Sequence, residues 1–313
     1  MNSFQTALNA VFPLFSFLAL GVFLRKINLT DKPTLQKMNK VTLNVFLASN
    51  IYYNIISADL AQLFNARLLL TGIGIQLLIL TLSLIVAFLV EKPKKRRGAI
   101  SHCIFHTNFV IFSTLLGNAL CGEGNLGSIS LLVATIVPLQ NILSVLILEL
   151  FRENSHITFK KVFGGVLKNP FVVAALCGFA THLLPFQLPT LLMNFFRDLG
   201  RCGTPVALII MGGLFNFGSI RDNRKSLIIG VFTRLILVPS LLIPVLVRTG
   251  FQGPDFVGLL CILIAPCANS CFSLACAMDS DADLTSQIVV FTSLLSLGTI
   301  FGWIFLLSHM GIL

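Results

Sequence analysis

Charge is what this sequence has least of. Asp, Glu, Lys and Arg make up 11% of its 313 residues, less than half the share in an ordinary soluble domain. With 56% hydrophobic residues and a mean hydropathy of +0.92, a water-soluble globular domain is excluded. No C-x-x-C pair occurs among the eight cysteines, which fall mostly in apolar stretches and read as small packing residues, so neither a metal nor a disulfide is expected. H-E-x-x-H, paired intramembrane aspartates and a Ser/His dyad in a suitable context are missing too, and an enzyme is not expected. The opening MNSFQT has no basic n-region and no A-x-A-like cleavage site follows, so the first apolar stretch reads as a retained helix, not a removed signal peptide.

What the chain does have is apolar length. A hydrocarbon layer of ~30 Å takes about 20 apolar residues per helix. Ten such stretches are predicted, at about 4–24, 35–57, 67–90, 99–120, 127–151, 162–184, 189–216, 226–247, 256–278 and 284–309. With short loops they use up the length, leaving no room for a soluble domain. The scarce charges are ordered. Seventeen of the 22 basic residues follow the odd-numbered stretches: Arg25, Lys26, Lys32, Lys37 and Lys40, then Lys92 to Arg97, then Arg152, Lys160, Lys161 and Lys168, then Arg221, Arg224 and Lys225. Short cytoplasmic loops retain Lys and Arg, so these loops are placed in the cytosol and both termini outside. The formal net charge of +10 is thus a topology signal, and no nucleic-acid partner is expected.

The two halves of the chain, 1–156 and 157–313, match at a steady offset. Gly21 falls on Gly178, Pro33 lies near Pro189, and Asn125-Leu126 falls on Asp283-Leu284, where Asn and Asp are placed to cap the fifth and tenth spans. Five spans per half make the repeat inverted, and inverted repeats hold substrate near the midplane on broken helices. Spans four and nine carry matching polar interruptions. Span four reads Ser101-His102-Cys103-Ile104-Phe105-His106-Thr107-Asn108, with Ser113-Thr114 beyond. Span nine reads Ala265-Pro266-Cys267-Ala268-Asn269-Ser270-Cys271. At an offset of 158, Pro266 falls on Asn108 and Cys271 on Ser113.

Several residues stand out as candidates. His106, ionisable at membrane depth, can face a pathway, bind a carboxylate when charged and couple to protons, or be a neutral histidine bonded to a carbonyl. His102, one turn earlier, is expected at the wet cytosolic end. Thr107, Asn108, Asn141, Asn269 and Ser270 can donate to an anion or act as interhelical glue, and Pro266 breaks its helix. Arg197 and Arg201 share a helix face and can attract anions from outside or snorkel. Arg234 lies deeper, serving either a pathway or a salt bridge or carbonyl contact, and Glu149 near the inner end of span five is either its partner or merely interfacial. Asp279, Asp281 and Asp283 read as capping residues for span ten, in preference to a Mg²⁺ cluster.

With those interruptions, Leu20-Gly21, Leu24-Arg25-Lys26, Asn118-Ala119-Leu120, Gly122-Glu123, Asn169-Pro170, Pro205 to Leu208, Gly212-Gly213, Ala275 and Thr292-Ser293 complete a series. In order and spacing it resembles the auxin efflux carrier family, which includes plant PIN-FORMED carriers and bacterial malate and malonate permeases. The resemblance runs along the whole chain. It implies an all-α, ten-helix elevator-type carrier similar to the bile-acid sodium symporters, with crossing broken helices four and nine. Spans 1, 2, 6 and 7 would form a scaffold, and spans 3–5 and 8–10 a transport domain. It also implies a small organic anion as substrate, a homodimer in the lipid bilayer and, from the short 152–161 loop, a bacterial plasma membrane; Asn141 matches a family asparagine. The chain departs from the family where His106 replaces an Asn, Ile111 a Gly and Ser113 a Pro. The break in span four is therefore expected to come from side-chain competition by Thr107, Asn108, Ser113 and Thr114. A sodium-coupled anion symporter and, further off, a membrane-embedded enzyme are the alternatives.

Cysteines introduced at Lys94 and Asp222, in a chain cleared of native cysteines, are expected to react with an impermeant maleimide from the same cytosolic face; reaction from opposite faces overturns the topology.

Overall fold

The structure, a computed structural model, describes residues 3–57, 65–122, 127–152, 168–182 and 188–313. Among them every element is helical, apart from one isolated antiparallel backbone bridge between Thr107 and Cys267. In chain order the helices are α1 (Ser3–Lys26), α2 (Lys32–Val41), α3 (Ala48–Ile56), α4 (Ala66–Val90), α5 (Lys94–Phe105), α6 (Phe109–Cys121) and α7 (Gly127–Leu150). They continue with α8 (Pro170–His182), α9 (Thr190–Leu214), α10 (Ile220–Phe232), α11 (Val238–Arg248), α12 (Gly253–Ile264), α13 (Ser270–Ala277) and α14 (Ala282–His309). π-helical turns, Thr42–Leu47 and Thr233–Leu237, join α2 to α3 and α10 to α11. The cap expected of Asn125 and the basic residues Lys160 and Lys161 lie outside the described residues.

Four of these rods are long and apolar enough to cross a membrane: α4, α7, Ile220–Arg248 and α14. Only 33% of the apolar window of α4 is buried, and Leu70, Leu77, Ile85, Phe88 and Leu89 stand on its outer face. In water such a face would be a liability; in lipid it is the required surface, because the helix satisfies its own backbone.

Small residues set the closest helix contacts. At the crossing of α1 and α9, a Cβ on Gly21 would lie 2.0 Å from the Ile209 carbonyl oxygen, and one on Gly212 would lie 2.1 Å from that of Leu18. Each helix thus presents a glycine to the other's backbone, the packing that substitutes for hydrophobic drive inside a bilayer. α9 also approaches α3 through Gly200, against the Asn50 backbone, and α8 packs on α3. α1, α2–α3, α8 and α9 make a first group of contacts, joined to the remaining helices where α1 packs on α6 and α14 and α8 packs on α7. In the second group α4 packs on α5 and α7, α12 on α6 and α7, and α14 on α10 and α13.

Local chemistry fixes the ends of several helices. Asp31 caps α2 by accepting from the Thr34 N–H at 2.8 Å, and its contacts with Thr34 hold its carboxyl below the usual range. Asp281 caps α14, its side chain accepting from the Leu284 N–H at 3.0 Å. Asp281 is one of the residues expected to cap; Asp283, expected to do so as well, lies within the first turn and accepts from Asn216 at 2.9 Å. The reason is reach: a capping side chain serves the N–H two or three residues ahead, which Asp281 does for Leu284. Asp279 pairs with Lys95 at 2.9 Å, so the three aspartates are spread among separate partners.

Gly212→Ala is expected to cost at the upper end of the about 1–3 kcal/mol typical of overpacking, read as a lower thermal midpoint of the purified protein. Gly74→Ala, on α4 with nothing within 4 Å of the added methyl, should leave that midpoint unchanged or raised.

Candidate binding site at the crossing of two broken helices

Two interruptions face each other at the centre of the fold. α5 ends at Phe105 and α6 begins at Phe109; α12 ends at Ile264 and α13 begins at Ser270. Backbone left out of a helix inside a membrane costs several kcal/mol per unsatisfied group. Here each interruption supplies the other's partners. The Asn108 N–H donates to the Pro266 carbonyl at 2.8 Å, and the Ala268 N–H donates to the His106 carbonyl at 3.0 Å. The Cys267 N–H is taken by the Thr292 hydroxyl at 3.3 Å. Pro266 sits where no N–H is needed.

This geometry corrects the expected source of the break in span four. Ser113 lies inside α6, fully buried, its hydroxyl donating to the Val110 carbonyl at 3.3 Å, and Thr114 bonds the same carbonyl. Neither opens the helix. The helix stops at His106–Asn108 because the backbone there is claimed by residues 266–268.

The carbonyl ends of the first half-helices converge on Arg234. Its guanidinium, completely buried, donates from Nε to Ala265 at 2.8 Å, from Nη1 to Ile104 at 3.3 Å, and from Nη2 to Ile262 at 2.8 Å and Leu263 at 2.7 Å. A cation at two helix C-termini also offsets the partial negative charge that aligned peptide dipoles leave there. The π turn Thr233–Leu237 carries Arg234 to this place. Pro239 keeps that turn open: it cannot donate to the Leu235 carbonyl four residues back, and the Trp303 indole N–H takes that carbonyl at 3.1 Å. Of the two roles open to Arg234, the geometry is that of the carbonyl contact. Glu149 pairs elsewhere, with Arg152 at 3.3 Å.

The opposite ends of the half-helices line a cavity of about 160 Å³. His106, Thr107, Asn108, Gln140, Asn141, Asn269 and Ser270 border it, with Leu47, Asn50 and Ile51 from the α2–α3 rod across the gap. Asn108 and Asn269 stand at the N-cap positions of α6 and α13, and neither start has a side-chain cap. Their first N–H groups are therefore without intrahelical acceptors. The Asn108 Nδ2 and both polar atoms of Asn269 are buried without partners. Asn141 reaches back to the Val137 carbonyl at 2.9 Å.

Three polar residues of the region were not singled out in the sequence. Gln140 donates to Thr107 Oγ1 at 2.9 Å and to Gln76 Oε1 at 3.1 Å, while Gln76 donates to the Phe105 carbonyl at 3.2 Å. The Ser144 hydroxyl lies 3.0 Å from His106 Nδ1. Their signal was available: polar side chains in the middle of apolar spans three and five. His102, expected to be wet, is completely buried, with its Nε2 at 3.4 Å from His106 Nδ1. α4, α7, α10 and α14 pack around α5, and at His102 they cover the ring. Arg197 and Arg201 are not brought to the cavity. Arg197 and Arg201 flank Asp198 at 3.2 and 3.9 Å, on an exposed part of α9. A second cavity, about 1040 Å³, is lined by Arg25, Lys26, Lys32, Lys37 and Lys40, and by Phe272 and Cys276 of α13.

The comparison with protein families gives one match covering nearly the whole chain. The family described as membrane transport protein matches residues 6–304. Comparison with curated protein sequences finds no significant match.

Arg234→Met is expected to leave carbonyls without donors at about 1–3 kcal/mol for each that finds no replacement. Thermal unfolding followed by fluorescence of Trp303, the single tryptophan, should show a lower midpoint, with Arg234→Lys recovering part of the loss. An unchanged midpoint in the methionine variant overturns the clamp.

Proposed function

The chain belongs to the auxin efflux carrier family of membrane transport proteins, and on that premise we propose that it is a secondary transporter for a small organic anion, a carboxylate, in the plasma membrane. Substrate binds in the cavity between α6 and α13. The observation that carries this reading is the convergence there of two uncapped helix N-termini with buried, unpartnered amide groups of Asn108 and Asn269. Helix starts offer free N–H donors and the positive end of the peptide dipole, a combination that holds anions without any cationic side chain. Thr107, Asn141 and Ser270 complete the donor set, and His106 contributes its ring to the wall.

Ten membrane spans arranged as two inverted five-span repeats accommodate the helices. In that arrangement α5–α6 is span four, α12–α13 is span nine, and the termini lie outside. The basic cavity beside α13 then opens to the cytosol and concentrates anions before they enter. Movement follows an elevator scheme, in which the second helix group carries the site past a scaffold of α1, α2–α3, α8 and α9. The placement of the cavity supports this: Leu47, Asn50, Ile51 and Thr204 come from the first group and the rest of the polar wall from the second. A homodimer formed through the first group would hold the scaffold still while each transport domain moves.

Uptake into proteoliposomes of a panel of mono- and dicarboxylates, with and without pH and sodium gradients, tests the proposal. Asn269→Ala and Asn108→Ala are each expected to lower uptake by a factor of about 10–100, the value of one hydrogen bond to a charged group. Carboxylates that neither accumulate nor compete, under any gradient, overturn the anion reading.

A further inference from the structure

Beside the cavity lies a group of soft ligands of which the transport reading uses only His106, as part of the wall. His102, His106 and Cys271 are all buried, and one donor atom from each lies within 4.8 Å of the others. His102 and His106 stand four residues apart at the end of α5, and Cys271 comes from the first turn of α13. The sequence keeps Cys271 165 residues from His106, and only the crossing of the broken helices unites the three.

We propose that these three residues form a binding site for a thiophilic divalent cation, Zn²⁺ in the first instance. Two imidazoles and one thiolate are a donor set suited to zinc, which takes nitrogen at about 2.0–2.1 Å and sulfur at about 2.3 Å in tetrahedral array. Two nitrogens at such bond lengths, subtending a tetrahedral angle, stand ~3.3–3.4 Å apart. His102 Nε2 and His106 Nδ1 are 3.4 Å apart. Without a metal the pair is poorly served. Ser144 Oγ at 3.0 Å and His102 Nε2 at 3.4 Å compete for the one Nδ1 of His106, and His102 Nδ1 has no partner. The Cys271 thiol meets only weak partners, the His106 carbonyl at 3.8 Å and the thiols of Cys103 and Cys267.

Binding is a proton exchange at sulfur. The Cys271 S–H bond breaks, the thiolate pair forms the bond to Zn²⁺, and one proton leaves to solvent; both imidazoles bind through neutral nitrogen. The bound centre carries a net charge of +1. Three protein ligands leave a fourth tetrahedral position for water or an anion's oxygen. The site goes beyond the transport reading and does not rest on it, and its test reads metal rather than uptake.

The experiment uses the full chain in detergent, stripped with a chelator and titrated with Co²⁺ and then Zn²⁺. One equivalent of Co²⁺ is expected, with the visible bands of a tetrahedral ion and a thiolate-to-cobalt charge-transfer band, both abolished by one equivalent of Zn²⁺, and with one proton released. In Cys271→Ser the charge-transfer band should vanish and affinity should fall by more than the about 10–100-fold that loss of an outer-shell partner costs. His102→Ala should keep the charge-transfer band at weakened affinity, which serves as the test should Cys271→Ser fail to fold. Cys261→Ser, buried on α12 outside the group, should bind as the native chain does. Absence of saturable one-to-one binding in the native chain overturns the site. So does a charge-transfer band that survives in Cys271→Ser, or affinity unaltered in His102→Ala.

Discussion

A peptide group removed from water needs a partner within the protein, and the centre of this molecule is organised by that need. Two helices stop inside the fold, and neither could do so alone. The pairing of Asn108 with Pro266 and of Ala268 with His106 lets each interruption serve as the other's secondary structure. Both breaks must therefore occur at one depth and one point, and the helices carrying them must cross there. The isolated bridge between Thr107 and Cys267 is the trace of this constraint.

Once the helices are broken and crossed, their dipoles are sorted. The carbonyl ends of α5 and α12 gather around Arg234, where a buried guanidinium finds four acceptors and no carboxylate partner is needed. The amide ends of α6 and α13 face the cavity, and neither helix start has a side-chain cap. One side of the crossing is thus electrostatically closed by the protein itself, and the other presents two uncapped helix starts to the cavity. That asymmetry supports an anion site more directly than any single side chain does. The neighbouring His102, His106 and Cys271 share the same crossing but look for a different kind of ligand, one that accepts electron pairs.

The membrane character, the family, the position of both interruptions and the polar residues around them were all legible in the sequence. Hydropathy reports transfer from water, which is additive over residues, and Pro266 and Asn108 declare local backbone habits. Less legible was anything that depends on a partner distant in the chain. Ser113 stands where relatives have proline, and a local argument gave it the break; the break belongs instead to residues 266–268. His102 looked solvated by its place in the sequence, yet four helices enclose it. Arg234 showed itself as a buried charge, while its partners, four main-chain carbonyls, have no sequence signature at all. Gln76 and Gln140 were visible as polar residues in apolar spans, but their bridge to Thr107 was not.

By itself, the order of residues determined that this chain is a helical, apolar-surfaced protein of a transport family with two matched points of weakness, because helix length, hydropathy and proline act over a few turns. The tertiary structure alone decided what those weak points become. Hydrogen bonds, dipoles and metal-ligand geometry depend on which atoms meet within a few ångströms, and residues 106 and 268, or 102 and 271, meet only after the whole chain has packed.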